Sequence, residues 1–209
     1  YEPVVINKWP YCGTACINSS IGAEFSRPMA EATVENSNNI KFYTCGADYS
    51  CQDKFPAAIQ PANYETQNIN SANIYVVNFQ VATGLHAYYL LPDTYYQVVF
   101  SNAMQSIDGK ALGNLNYDSN NDGVNDSYSW IFKTQPDNTL CAISKVDVIP
   151  ADAELPENVT QLYFAQPYAE LDSCNPDYGQ KLNSYLYEWR WESTKSAVAD
   201  LIVPLRDAC

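Results

Sequence analysis

Short runs of β-branched and aromatic residues punctuate this chain, and clusters of polar turn formers separate them. Val4-Val5-Ile6 and residues 17–26, 39–44, 74–81, 95–100 and 128–132 are such runs. Pro, Gly, Asn and Asp gather between them, which is how strands joined by turns read. Strict alternation marks Ile40-Lys41-Phe42-Tyr43 and Tyr128-Ser129-Trp130-Ile131-Phe132, as a strand with one buried face requires. Tyr95-Tyr96 places one ring on each face of its strand. Helical periodicity is weak, and residues 28–35 and 101–105 hold at most a turn or two. Residues 143–149 open a second series. In it Gln161-Leu162-Tyr163-Phe164-Ala165 forms the next strand, and Tyr187-Glu188-Trp189-Arg190-Trp191 is a central strand with its aromatics on one face. Many short strands at turn-rich spacing predict an all-β fold of sandwich type.

The break between the series is Thr134-Gln135-Pro136-Asp137-Asn138, which predicts one module over residues 1–137 and a second over 138–209. The second has 72 residues, short of the roughly 100 of an immunoglobulin sandwich. A strand from a neighbouring chain is one way to complete it. Charge does not distinguish the halves. Residues 1–137 carry 13 acids and 6 bases, and residues 138–209 carry 11 and 5.

The net charge of −13 argues against nucleic acid, which is held largely by Lys and Arg at phosphates. No apolar run approaches the roughly 20 residues of a membrane helix. Hydrophobic residues at 46 % support a packed core. The opening at Tyr1, with no signal peptide ahead of it, reads as a processed or excised chain.

Seven cysteines without a CxxC pair, Cys12, Cys16, Cys45, Cys51, Cys141, Cys174 and Cys209, point to disulfides ahead of zinc and to an oxidising, extracellular setting. If residues 17–26 and 39–44 pair as neighbouring antiparallel strands, Cys16 lies close to Cys45, with Cys12 and Cys51 in adjoining loops. Four cysteines allow three pairings, and the choice stays open. Cys141 and Cys174 would bridge the second half, leaving Cys209 over.

Several motifs appear in order. Pro3-Val4-Val5 leads to Ile21-Gly22-Ala23-Glu24-Phe25-Ser26-Arg27-Pro28-Met29 and Thr33-Val34. Leu91-Pro92-Asp93-Thr94-Tyr95-Tyr96, Ile107-Asp108-Gly109-Lys110-Ala111-Leu112 and Trp130-Ile131-Phe132-Lys133-Thr134 follow. Across residues 3–135 this resembles the bacterial Ig-like domain of S-layer and multidomain surface proteins. Residues from 141 on are similar to the start of another Ig-like or PKD-like module. The cysteines and residues 45–66 depart from the usual pattern. The resemblance implies tandem Ig-like β-sandwich modules. It also implies a structural role at a microbial cell surface, as S-layer, stalk or filament subunit or as adhesin spacer. The expected partners are further copies or neighbouring modules of the same protein.

The sharpest local chemistry is Asp118-Ser119-Asn120-Asn121-Asp122-Gly123-Val124-Asn125-Asp126. Asp118, Asn120, Asp122 and Asp126 sit at positions 1, 3, 5 and 9 of a calcium-type loop, Gly123 at 6 and the Val124 carbonyl at 7. Ca²⁺ takes six to eight hard oxygens, and glycine permits the sharp turn. Ser129 at position 12 replaces the bidentate Glu, so this is no EF-hand. Asp108 is an additional candidate ligand, and Ca²⁺ is the expected cofactor. A polar hairpin rich in turn formers accounts for the same residues.

Sequons at Asn18, Asn125 and Asn158 are glycan acceptors in a host with that machinery. Tyr187, Trp189 and Trp191 suit either a packed core or a sugar-binding face, and a carbohydrate-binding or adhesive module is the alternative function. His86, the only histidine, lacks a recognisable nucleophile and acid. There is no G-x-S-x-G motif, phosphate loop or dinucleotide fingerprint, so no enzymatic activity is expected.

Overall fold

The computed structural model describes residues 1–11, 13–69, 72–81, 89–151, 159, 163–170 and 179–192. Cys12, His86, Asn158, Cys174 and Cys209 lie outside them. The described strands are β1 (Val5–Trp9), β2 (Ile21–Phe25), β3 (Ile40–Gly46), β4 (Phe55–Pro56), β5 (Asn63–Ile69), β6 (Ala72–Phe79), β7 (Tyr95–Ser101), β8 (Ser127–Lys133), β9 (Lys145–Ile149) and β10 (Phe164–Tyr168). One short helix, α1 (Glu31–Val34), and a 3₁₀ turn at Ser184–Leu186 are the helical elements among the described residues. The chain is all-β, and its sheets are antiparallel.

Two four-stranded sheets face each other. The first runs β1-β2-β6-β5 and the second β4-β3-β7-β8. Alternation decides what points between them. Ile21, Ala23 and Phe25 of β2 meet Ile40 and Phe42 of β3, Tyr96, Val98 and Phe100 of β7, and Tyr128, Trp130 and Phe132 of β8 in one buried cluster. Rings bridge the layers: Phe25–Phe100 at 6.1 Å and Phe42–Phe79 edge-on at 6.0 Å. Trp130 satisfies its indole N–H on the Pro10 carbonyl at 2.8 Å, as buried indoles usually do. Tyr96 is buried and Tyr95 half-exposed, matching the face assignment from sequence.

The expected strands are found with shifted ends, residues 161–162 of one of them lying outside the described residues; β4 and β5 are strands the sequence pattern did not show, and the strand expected at 187–191 is absent. β5, Asn-Tyr-Glu-Thr-Gln-Asn-Ile, is missed because it has no apolar alternation. It is an edge strand held by its ladder to β6. It is pinned further by the Tyr64 phenol, which accepts from Met29 N at 2.7 Å, and by Glu35, which accepts from Tyr64 N at 2.8 Å. Residues 101–105 form a hydrogen-bonded turn, with Met104 N donating to Ser101 O. Residues 187–191 form no strand and continue irregularly from the 3₁₀ turn.

Gly22 fixes how closely the first sheet is covered. A Cβ there would stand 2.3 Å from the Val77 carbonyl and 2.8 Å from the Trp9 ring. The absent side chain lets Trp9 lie across the outer face of β2, and that ring is the floor on which the later part of the chain rests.

β9 and β10 form a separate two-stranded sheet. The chain after Asn138 shares a buried cluster with the first part: Cys16, Ala169 and Leu182, with Cys141 and Tyr187 against them. Isolated bridges join Ser19 to Leu182 and Tyr168 to Lys181. No helix among the described residues is long and apolar enough to cross a membrane.

Candidate functional site

Two places concentrate polar chemistry: the loop 118–126 and the seam where the later part of the chain meets the first sheet.

The loop leads into β8. Its carboxylates turn the backbone around themselves. Asp118 accepts from Asp122 N at 3.2 Å and from Gly123 N at 2.7 Å. Asn120 accepts from Asp122 N at 3.0 Å, and Asp122 from Val124 N at 2.9 Å. Gly123 stands at φ 89°, a conformation that excludes most side chains. Asp126 closes the loop, accepting from Ser119 N at 3.0 Å and from the Ser119 and Ser127 hydroxyls at 2.9 Å. The hydrogen bonds from Ser119 hold the Asp126 carboxyl below the usual carboxylate range. Among the described residues no group of three or more His, Cys, Asp or Glu side chains converges as a metal cage. Asp108 is engaged elsewhere, by the Ser106 hydroxyl at 2.5 Å and the Arg27 guanidinium at 3.1 Å.

The seam is built on Cys16–Cys141, with Cα atoms 5.8 Å apart. Cys45–Cys51 is the other disulfide among the described residues. These pairings correct the sequence expectation. β2 and β3 lie in different sheets, so Cys16 and Cys45 are not brought together. Cys45 instead closes a six-residue step whose turn Asp48 holds, accepting from Ser50 N and Gln52 N at 2.8 Å. Cys141 reaches back to Cys16 and not on to Cys174.

Polar side chains seal the seam. Asn18 is fully buried. Its amide nitrogen donates to the Cys141 carbonyl and the Tyr187 hydroxyl at 3.0 Å each, and its oxygen accepts from Cys141 N at 3.1 Å. A side chain so enclosed and so fully used leaves no room for a glycan in this fold. Asn125 is exposed. Gln180 accepts from Cys16 N at 2.8 Å and donates to the Thr14 carbonyl at 3.1 Å. Ser20 N donates to Lys181 O at 3.0 Å. The Lys181 ammonium lies over the Trp9 ring, 3.7 Å from its centroid. Burial lowers its pKa from 10.5 to about 8, against the pull of Glu24 and Glu65. Sequence reasoning misses Gln180 and Lys181, because Cys16, Thr14 and Trp9, which they meet across the seam, lie more than 160 residues away and no local spacing marks them.

The aromatic set resolves into neither a core stripe nor a sugar platform. Tyr187, Trp189 and Trp191 are half-buried. Tyr187 and Trp189 stand 5.9 Å apart at 57°, and the Trp189 indole donates to Ser184 O at 3.0 Å. On the second sheet the Lys54 ammonium is held between the rings of Tyr43 and Tyr117, at 4.7 and 4.8 Å.

No protein-family model and no curated protein sequence matches the chain. Among solved structures, the crystal structure of the S-layer protein rSbsC is similar to it with a TM-score of 0.39 and 12 % identity, over 88 % of this chain and 22 % of that one. The chain therefore spans about a fifth of that protein's length. A likeness at this level decides neither family nor function.

Proposed function

We propose that this chain is a structural unit of an extracellular microbial surface protein, of the S-layer, stalk, filament or adhesin-spacer kind, arranged as tandem Ig-like modules. The observation that carries the reading is the seam. A disulfide spanning 125 residues, a fully satisfied buried Asn18 and a Gln180 bonded on both sides tie the later part of the chain to the first sheet. Such a tie resists relative movement, which suits a spacer or array subunit. Disulfides persist outside the reducing cytosol, in keeping with that location.

Calcium belongs to the same proposal. The residue types suit a hard cation, with the carboxylates of Asp118, Asp122 and Asp126, the Asn120 amide oxygen and the Val124 carbonyl joined by water to reach six to eight oxygens; the carboxylates, here turned onto backbone N–H groups and not converging, would have to turn inward to take it. Asp108, held by Arg27, is left out of the set. Bound calcium would neutralise the carboxylates and stiffen the entry to β8.

The test is thermal unfolding of the oxidised chain with millimolar calcium and with a chelator, followed by light scattering and electron microscopy. Calcium-dependent stabilisation that Asp118→Asn with Asp122→Asn abolishes supports the loop site. Ordered polymers or rigid particles support the structural role. Selective binding on a glycan array, lost when exposed tyrosines such as Tyr49 are replaced, would move the assignment to an adhesive module.

A further inference from the structure

Among the described residues, one edge of the β9–β10 sheet is hydrogen-bonded to residues 180–182 and the other, on β9, has no strand paired to it, and the backbone shows which atoms that second edge presents. Val146 lies opposite Pro167. Proline has no N–H, and the Pro167 carbonyl accepts from Leu182 N at 2.9 Å on the far side of β10. The Val146–Pro167 pair is therefore a non-hydrogen-bonded one. By the alternation of antiparallel ladders, the N–H and C=O groups of Val146 and Val148 point away from β10. No described strand is hydrogen-bonded there, and the register from Lys145 to Ile149 is regular. The side chains of Val146 and Val148 are 41 % and 42 % exposed. Within β9 the strand lacks the proline or bulge that usually blunts an edge.

We propose that β9 pairs antiparallel with β9 of a second copy, giving a continuous β10-β9-β9-β10 sheet about a two-fold axis at Val146. This rests on the structural role proposed above and names the contact that would join subunits. Outward-facing residues must oppose each other, which leaves three registers. Centred on Asp147, the pairing sets Asp147 against Asp147, a like-charge contact that destabilises. Centred on Val148, it runs into Pro150, which cannot donate. Centred on Val146, it sets Lys145 of each copy opposite Asp147 of the other in a non-hydrogen-bonded pair, where side chains are closest. These two residues already attract within one strand, Nζ to Oδ1 at 2.9 Å. In this register Val146 bonds reciprocally to Val146, and Val148 N–H donates to the Ser144 carbonyl. Ser144 N is already donated to Tyr168 O, so that carbonyl is the group it can still offer.

An edge pair of five residues buries far less than the roughly 1,000 Å² of a stable interface. The association is weak in solution and strengthened by repetition in an array. The measurement is sedimentation equilibrium from about 10 µM to about 1 mM, in a Cys209→Ser background that excludes adventitious cross-linking. Wild type is expected to dimerise reversibly. Asp147→Lys and Lys145→Asp each weaken dimerisation roughly tenfold or more, since both cross-strand ion pairs become like-charge contacts. The double exchange, Lys145→Asp with Asp147→Lys, restores it. Unchanged near-ultraviolet circular dichroism shows that each variant is folded. A wild type that stays monomeric to the top concentration, or single variants that dimerise like wild type, overturns the proposal. If polymers form equally in all variants, the structural role stands and the contact lies elsewhere.

Discussion

Replacing Lys181 with methionine tests the electrostatics of the seam. The ammonium rests against Trp9 in a site whose burial lowers its pKa from 10.5 to about 8. A depression of that size costs about 3 kcal/mol in the charged form, relative to the unfolded chain. Methionine keeps an unbranched apolar stem over the indole and removes the charge. Lys181→Met is thus expected to raise stability by up to about 3 kcal/mol at pH 7, read as an upward shift of the denaturant midpoint without a change of slope.

The pH dependence carries the sharper test. Below pH 8 the lysine is protonated in both states and its full cost is present. Between about 8 and 10.5 the unfolded chain keeps a proton that the folded chain has lost, so wild-type stability rises with pH. Above that window the lysine is neutral in both states. The variant lacks this slope. The gap between the two proteins should close across the window, while titrating tyrosines cancel in the difference. A variant less stable than wild type at pH 7, or a gap that ignores pH, would refute the reasoning. It would mean that the Trp9 face and the charges of Glu24 and Glu65 outweigh the burial of Lys181.

Three further outcomes are expected. Removing Cys16–Cys141 by paired serine substitution should cost about 5 kcal/mol on loop-entropy grounds, against about 2 kcal/mol for Cys45–Cys51, because the first closes 125 residues and the second six; denaturant midpoints of the two double variants give the order. Gly22→Ala should destabilise by about 2 kcal/mol or more, since its Cβ meets the fixed Val77 carbonyl at 2.3 Å, and Trp9 fluorescence should shift red as the ring is lifted. Asn18→Ala should cost about 1–3 kcal/mol by stranding Cys141 N and O, and mass spectrometry of protein from a glycosylating host should find Asn18 unmodified.

Much of the architecture is legible along the chain, because a strand with one buried face writes its burial in alternation. Ile40-Lys41-Phe42 and the run from Tyr128 to Phe132 declare which side faces the core, and the structure buries Ile40, Phe42, Tyr128, Trp130 and Phe132. The turn at Gly123 is legible for the same reason: the residues that shape it are neighbours in sequence. Where support comes from across the fold, the pattern is silent. β5 has no apolar period and exists through its ladder to β6. Tyr187 and Trp189 alternate like a strand and form none, because Asn18 and Ser184 take their polar ends.

The chain by itself therefore determined an all-β chain rich in disulfide-forming cysteines and acidic loops, through local periodicity, composition and turn chemistry. Tertiary structure decided the rest. Sheet membership separated β2 from β3, sending Cys16 to Cys141 and Cys45 to Cys51. Long-range closure made Asn18 a buried tie and set Lys181 on Trp9. Among the described residues it also left one edge of β9 without a paired strand, since which backbone atoms go unpaired depends on which strands have become neighbours.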